Sequence, residues 1–176
     1  MLHLEDSVSE TLLIPLYMKH LASQMPNPVI HDEAATRLVR QLDYDFSKYD
    51  HIIHTVVGTA IRADYFDRLT ADFIQRHPNP VVVNVGCGLD SRRERIGAAA
   101  DGVPFYDIDL PDVIALRQKL LPAQRGETLL ATSAFDAGWM DELNRLHPNA
   151  QFLLVIEGVL MYCARPVLRS GASFSP

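Results

Sequence analysis

The chain has 176 residues, of which 48% are hydrophobic and 22% are charged, a composition typical of a globular protein with one core. Its formal net charge of −6 argues against a nucleic-acid partner, because such a partner requires a basic surface. Two cysteines, Cys87 and Cys163, are too few for a disulfide framework and indicate a reducing compartment.

Signals for export or for a membrane are absent from the sequence. Met1 to Asp6 lack the basic and apolar segments that mark a signal peptide. The apolar run Phe152 to Ile156 is far too short to cross a bilayer and ends at Glu157. We therefore expect a cytoplasmic protein that makes no membrane contact.

The first third of the chain is predicted to be mainly helical. Residues 7–25 predict a helix that Pro26–Pro28 ends. His31 to Leu42 has apolar residues at helical spacing and predicts a second helix. Tyr44 to Asp50 is polar and aromatic and predicts a loop. This region does not have a βαβ pattern, and we expect it to cover a ligand site in the domain that follows.

A metal site is not predicted. His51 and His54 share a helical face, but no cysteine or carboxylate cluster joins them at a recognisable ligand spacing. An ordinary surface pair of histidines is the simpler interpretation.

The next segment, Ile61 to His77, predicts an amphipathic helix with Arg62 near its start. Spacing alone favours a solvated Arg62 in a weak helical ion pair with Asp64 or Asp67. Bidentate binding of a ligand carboxylate by Arg62 is the alternative.

The stretch Pro80 to Arg92 predicts a strand that leads into a ligand-binding turn. Its β-branched run, Val81 to Val85, is not alternating and predicts a strand covered on both faces of a parallel sheet. Gly86 and Gly88 at the carboxyl end of that strand allow a tight turn whose backbone amides come close to a ligand.

The turn departs from the G-x-G-x-x-G pattern of dinucleotide-binding folds, because Ser91 occupies the third glycine position. The carboxylate of Asp90 would repel a pyrophosphate but attract an ammonium group. S-adenosylmethionine has an α-amino cation and a sulfonium and no phosphate, so the turn favours that ligand. A simple strand-to-helix turn is the alternative.

An acid stands where nucleotide-binding folds hold a ribose hydroxyl. Asp109 follows Gly88 by 21 residues and ends a second predicted strand, Val103 to Asp109. Its alternative role is a charge at the start of the next helix, Asp112 to Leu121.

Between and beyond these strands lie further predicted elements. Arg92 to Ala100 predicts a helix with Arg92, Arg93 and Arg95 on its exposed side. Thr128 to Ser133 predicts a third strand.

Two further acids follow the later strands. Asp136 is positioned either to meet an adenine edge or to cap the helix that contains Trp139. A fourth strand begins at Gln151 and emerges at Glu157, and a carboxylate in such apolar surroundings favours a functional role.

Seven segments of the chain resemble, in family order, the leucine carboxyl methyltransferase-like family of S-adenosylmethionine-dependent O-methyltransferases, which has bacterial polyketide-type members. The segments are Thr11–Tyr17, Val29–Asp32, Asp43–Phe46, Ile61–Asp67, Asn84–Arg92, Tyr106–Pro111 and Glu157–Tyr162. The most specific are Gly-Cys-Gly-Leu-Asp-Ser-Arg, Asp-Leu-Pro and Glu-Gly-Val-Leu-Met-Tyr. The resemblance implies an α/β, Rossmann-like class I methyltransferase fold.

The resemblance also implies a set of cofactor-binding residues: Lys19, Arg62, Gly86, Gly88, Asp109, Asp136 and Glu157. Arg62 and Lys19 would hold the cofactor carboxylate, and the two glycines would form the loop beneath it. Asp109 would bind the ribose hydroxyls, Asp136 the adenine region and Glu157 the methionine end. No catalytic residue is assigned.

The implied domain organisation is a helical cap over the substrate at 1–60, a partial S-adenosylmethionine-binding domain at 61–163 and an irregular tail at 164–176. Members of the family continue with three more strands after the fourth. We therefore expect an incomplete parallel sheet of about four strands, whose open edge is covered by a partner or a second copy.

The implied reaction is methyl transfer to a carboxylate or hydroxyl of a small molecule. A carboxylate needs no general base, whereas a hydroxyl requires one, for which Tyr162 and His31 are the candidates. Two alternatives remain: an inactive truncated remnant that binds the cofactor weakly, and an NAD-dependent oxidoreductase on the same half-fold.

Overall fold

The structure is a computed structural model that describes residues 2–3 and 10–159, so the predicted tail at 164–176 lies outside the described residues. The strands are β1 (Leu2–His3), β2 (Leu42–Asp43), β3 (Pro80–Val85), β4 (Phe105–Asp109), β5 (Glu127–Ala131) and β6 (Gln151–Ile156). The α-helices are α1 (Glu10–Ser23), α2 (Glu33–Gln41), α3 (Val56–Arg76), α4 (Arg92–Ile96), α5 (Pro111–Leu120) and α6 (Gly138–Leu146). Two 3-10 helices span Phe46–Thr55 and Gly97–Ala100.

Four of the strands form a parallel sheet in the order β5-β4-β3-β6. The β-branched run of β3 lies at its centre, with Val81, Val82 and Val83 at most 2% exposed. Apolar clusters cover both faces: Trp139 and Leu143 of α6 pack on one, and Phe66 and Ile74 of α3 pack on the other. The predicted α/β fold with a four-stranded parallel sheet is confirmed.

The register of the sheet aligns the ends of three strands. Val85 of β3 pairs with Ile108 of β4 and with Ile156 of β6. The residues that follow these partners are Gly86, Asp109 and Glu157. Because parallel strands end at one edge of the sheet, these three predicted site residues emerge there at the same level.

The N-terminal helices form a second core that continues into the sheet domain. Side chains of α1, α2 and the first 3-10 helix pack together with Leu89, Leu120 and Leu121. The predicted loop at Tyr44–Asp50 is wrong for most of its length, because Phe46–Thr55 is a 3-10 helix. Aromatic burial explains the difference: Tyr49 is 3% exposed, and the ring of Phe46 stacks on Tyr17 at 5.0 Å between centroids.

The prediction that the arginines of α4 lie on its exposed side is also wrong. The side chains of Arg92 and Arg95 are 1% and 4% exposed, and Arg93 is half-buried. Four acids surround Arg92 and Arg95: Asp32, Asp67, Asp90 and Glu157. A buried guanidinium persists when carboxylates pair with it, and here they do.

Strand β6 lies at one edge of the sheet and pairs with β3 alone among the described strands. Its Leu154 and Ile156 are 45% and 39% exposed. None of the helices within the described residues has the length and hydropathy to cross a membrane.

Candidate cofactor site

A cleft of about 760 Å³ opens at the carboxyl ends of β3, β4 and β6. Its volume lies within the range of about 300–1,000 Å³ that is common for small-ligand pockets. The N-terminal half of α1 and the start of α3 form the opposite wall. Six of the seven predicted cofactor residues line this single cleft: Lys19, Arg62, Gly86, Gly88, Asp109 and Glu157.

The floor of the cleft is the glycine turn after β3. Gly86 has φ +66° and Gly88 has φ +49°, a backbone region that side chains rarely adopt. A Cβ on Gly86 would lie 2.3 Å from Cγ2 of Val159, and one on Gly88 would lie 2.9 Å from Cδ2 of Leu12. The turn therefore requires glycine for its conformation and for the close approach of neighbouring chains.

Asp109 is held in place by backbone amides. The Gly88 N–H donates to Asp109 Oδ2 at 2.8 Å, and the Leu110 N–H donates to Oδ1 at 2.8 Å. Helix α5 begins at Pro111, two residues after Asp109. The acid at the end of β4 and the turn after β3 thus form one hydrogen-bonded unit at the cleft wall.

On the far side of the turn, Glu157 binds two arginines. Arg62 Nε donates to Glu157 Oε1 at 2.8 Å, and Arg92 Nη2 donates to Oε2 at 2.5 Å. Arg62 is 44% exposed and reaches Glu157 from the cleft, whereas Arg92 is buried behind it. The helical ion pair predicted for Arg62 is wrong, because Asp64 pairs with Arg68 instead.

Asp90 does attract an ammonium group, but the group belongs to this chain. Lys19 Nζ lies 2.5 Å from Asp90 Oδ1, and Arg95 Nη1 donates to the same oxygen at 2.9 Å. Burial alone would raise the pKa of Asp90, but Arg95, Lys19 and Arg92 together hold that pKa well below its usual value. Asp90 is therefore a fixed anion that anchors α1 to the turn.

Asp136 lies apart from the six residues that share the cleft. It is exposed, and its Oδ1 accepts a hydrogen bond from the Gly138 N–H at 3.0 Å, at the start of α6. The preceding residue, Phe135, lines the cleft and is 56% exposed. A role of Asp136 at the adenine region stays a prediction.

Neither candidate base is described in the cleft. His31 is exposed and lines a different, shallower cavity beside α2. Tyr162 lies outside the described residues. In the part of the chain that the structure describes, no group of three or more histidine, cysteine or acidic side chains is arranged to hold a metal ion.

Several residues that line the cleft were not predicted from the sequence. Thr11, Leu12 and Pro15 come from α1 and Thr59 from α3, and their sequence positions carry no ligand signal. Asn84 did carry a sequence signal, because it is a polar residue inside the apolar run of β3. It is 4% exposed. Its Oδ1 accepts a hydrogen bond from Arg92 Nη1 at 3.3 Å, so it helps to hold the arginine behind Glu157.

Comparison with known proteins bears on this geometry. The chain is 37% identical over 155 residues to the tetracenomycin polyketide synthesis O-methyltransferase TcmP of Streptomyces glaucescens, covering 88% of this chain and 56% of that protein. It is 32% identical over 169 residues to the S-adenosyl-L-methionine-dependent methyltransferase dpfgK of Gibberella zeae, covering 89% and 56%. It is 29% identical over 134 residues to a putative S-adenosyl-L-methionine-dependent methyltransferase of Mycolicibacterium gilvum, covering 67% and 43%.

The chain thus spans about half the length of these curated relatives. The sequence profile of the family described as leucine carboxyl methyltransferase matches residues 13–167, which include every residue that lines the site except Thr11 and Leu12. The chain belongs to the leucine carboxyl methyltransferase family.

Proposed function

We propose that this chain provides the S-adenosylmethionine site of an O-methyltransferase that acts on a small molecule. The observation that carries the proposal is the convergence of Lys19, Arg62, Gly86, Gly88, Asp109 and Glu157 on one cleft. Charge complementarity supports the proposal. The cleft offers an arginine for the carboxylate of the cofactor's amino acid, and carboxylates for its ammonium group and its ribose hydroxyls.

The residues fit the two ends of that cofactor. Arg62 is the more exposed partner of Glu157 and can release it to bind a carboxylate. Glu157, still held by Arg92, is then free to accept from the α-ammonium group. Asp109 offers the ribose hydroxyls a carboxylate that two backbone amides keep in orientation.

Lys19 fits its proposed part less directly. Its ammonium is already bound to Asp90 and lies 4.0 Å from Asp32. Its contribution to cofactor binding is therefore through the position of α1 against the turn, while Arg62 is the residue for the carboxylate.

The bound cofactor supplies an electrophilic methyl group on a sulfonium. This chain would act by aligning the two reactants. The glycine turn and the acids would hold the cofactor, and the wall from α1 and α3 would exclude water and orient the methyl acceptor. Lys19, Asp90 and Glu157 are held in ion pairs and Asp109 by amides, so none is a free base. A carboxylate acceptor, which is already ionised, would need no base, whereas an alcohol would need one from another residue.

Calorimetric titration with S-adenosylmethionine and with NAD tests the proposal. We expect binding of S-adenosylmethionine and none of NAD. Replacing Asp109 with Ala removes a charge-assisted contact and should weaken binding by about 10-fold to 100-fold. Asp109→Asn keeps an acceptor for one amide and separates the loss of charge from loosening of the turn. Asp141→Ala, an exposed acid on α6, is the matched control.

The outcomes distinguish the alternatives. Binding of NAD alone would overturn the proposal in favour of an oxidoreductase. A folded chain that binds neither ligand would support an inactive remnant. Asp136→Ala in the same titration decides whether that residue serves the adenine region or only the start of α6.

A further inference from the structure

A buried arginine that does not line the cleft supports the glycine turn from below. Arg117 lies on α5, is 2% exposed, and is among the largest fully buried side chains. Its Nη1 donates to two carbonyl oxygens of the turn, that of Gly88 at 3.1 Å and that of Asp90 at 2.7 Å. One guanidinium nitrogen therefore holds both ends of the Gly88-Leu89-Asp90 segment.

Turn carbonyls of this kind need a donor from elsewhere. Within the turn the Asp90 N–H donates to the Cys87 carbonyl at 2.9 Å, whereas the Gly88 and Asp90 carbonyls accept from Arg117. A buried backbone oxygen without a donor is costly. Arginine suits the task because its planar group carries five donors in a fixed fork. A lysine has a single nitrogen and lacks that planar fork.

Arg117 is itself anchored by acids from two strands. Its Nη2 donates to Asp107 Oδ2 of β4 and to Glu127 Oε1 of β5, the latter at 3.3 Å. Both acid side chains are at most 6% exposed. The turn is thus connected through one side chain to two neighbouring strands of the sheet.

The direction of the turn's peptide groups follows from these contacts. In a trans peptide the C=O and the following N–H point to opposite sides. The Gly88 carbonyl points towards Arg117, so the Leu89 N–H of the same peptide group points away from Arg117. Leu89 lines the cleft, whereas Arg117 does not. The Gly88 N–H is fixed separately by Asp109.

We infer that Arg117 is a positioning residue for cofactor binding: it sets the orientation of the Gly88–Asp90 backbone and touches no ligand itself. This inference rests on the proposed function, since it concerns the same cleft. It predicts that cofactor affinity depends on the guanidinium of Arg117 even in a variant that is fully folded.

The test is titration of S-adenosylhomocysteine, the product form of the cofactor, into the whole chain and its variants. Arg117→Lys keeps the buried charge but offers one nitrogen in place of two, and should weaken binding by about 10-fold. Arg93→Lys is the matched control, because Arg93 donates to a backbone carbonyl, that of Arg125 at 2.6 Å, outside the cleft. We expect its affinity to stay within about twofold of wild type.

Measuring affinity and thermal unfolding together distinguishes a positioning role of Arg117 from a merely structural one. Binding is recorded at a temperature where each variant is fully folded.

A second variant covers the case in which Arg117→Lys does not fold. Arg117→Met combined with Asp107→Asn and Glu127→Gln leaves no unpaired buried charge, which makes it tolerable in the interior. It should also bind about 10-fold more weakly, because the turn carbonyls have lost their donor.

Affinity within twofold of wild type in either folded variant would overturn the inference. Failure of the wild-type chain to bind S-adenosylhomocysteine would instead reject the proposed function, so the two failures are distinguishable.

Discussion

Arg92 Nη2 lies 2.5 Å from Glu157 Oε2, which joins the first residue of α4 to the acid that follows β6. The same guanidinium bonds Asp67 of α3 through Nε at 3.1 Å. Three elements that are distant in sequence therefore meet at one buried cation, directly behind the cleft.

Arg92→Met should destabilise the fold strongly. The substitution removes the buried partner that Asp67 and Glu157 share, while Arg95 still pairs with Asp67 and Arg62 with Glu157. Each lost hydrogen bond between charged groups costs about 1.5–3 kcal/mol. The free energy of unfolding from urea denaturation measures it. Arg76→Met is the control: Arg76 is 75% exposed in its pair with Asp72, and its loss should change stability by less than about 1 kcal/mol. Equal effects of the two substitutions would contradict the prediction.

Arg62→Ala should separate binding from stability. Arg62 is 44% exposed, and an exposed ion pair contributes at most about 1 kcal/mol. Affinity for S-adenosylmethionine should nevertheless fall by about 10-fold or more, because the cofactor carboxylate loses a charged donor. Arg68→Ala, on the same helix and 73% exposed in its pair with Asp64, should leave affinity unchanged. Unchanged affinity in Arg62→Ala would remove Arg62 from the site.

Gly86→Ala should damage the turn beyond the cost of its backbone angle. The positive φ alone costs about 1–3 kcal/mol for a residue with a side chain. The added methyl group would also meet Cγ2 of Val159 at 2.3 Å. Gly102→Ala provides the comparison, since Gly102 has φ +76° with no atom within 4 Å of an added Cβ. Thermal unfolding of both variants should show the larger loss at Gly86, and the reverse order would argue against the close contact.

Asp107 should make stability fall as pH rises from about 4 to about 7. Burial raises the pKa of Asp107 from 3.8 to about 7, and the charge of Glu127 adds to the effect, while Arg117 opposes it. Between those values the folded chain holds a proton that the unfolded chain has released, so raising the pH favours unfolding. The contribution of the protonated Asp107 carboxyl to the free energy of unfolding is present below about pH 4 and is lost by about pH 7.

Urea denaturation across this pH range measures the slope. Asp107→Asn should flatten the dependence of the unfolding free energy on pH, whereas Asp141→Asn, an exposed acid, should not. An identical slope in Asp107→Asn and wild type would show that the buried acid is not protonated in the folded chain.

The edge of β6 that is not covered by any strand among the described residues should promote self-association. Leu154 and Ile156 of β6 are exposed, and Val57, Ile61 and Tyr65, four residues apart on α3, are each at least 46% exposed. Exposed apolar side chains and a strand edge that no other described strand covers favour contact with a second copy. Sedimentation velocity should show a dimer that Ile61→Lys weakens, while Leu146→Lys, at an equally exposed site on α6, does not. A strictly monomeric wild-type chain would contradict this prediction.

The parts of the fold and of the site that local chemistry encodes could be predicted from the amino-acid sequence. The run rich in β-branched residues predicted the central strand, and the two glycines after it predicted a turn that the positive φ angles of Gly86 and Gly88 bear out. The spacing from Gly88 to Asp109 predicted that the acid belongs to the same site as the glycine turn, and both residues line one cleft, where a 2.8 Å hydrogen bond also joins them. These signals are readable because each depends on backbone conformation or on the fixed level of strand ends in a parallel sheet.

Which charged side chains are buried, and which of them pair, could not be predicted without the packing of the elements against one another. The helical pattern after Ser91 placed three arginines in solvent, yet Arg92 and Arg95 are enclosed by Asp67, Asp90 and Glu157. Arg117, with no motif around it, holds the turn through two carbonyls. The physical reason is that a charged side chain is stable inside when partners reach it, and those partners here come from residues up to 65 positions away.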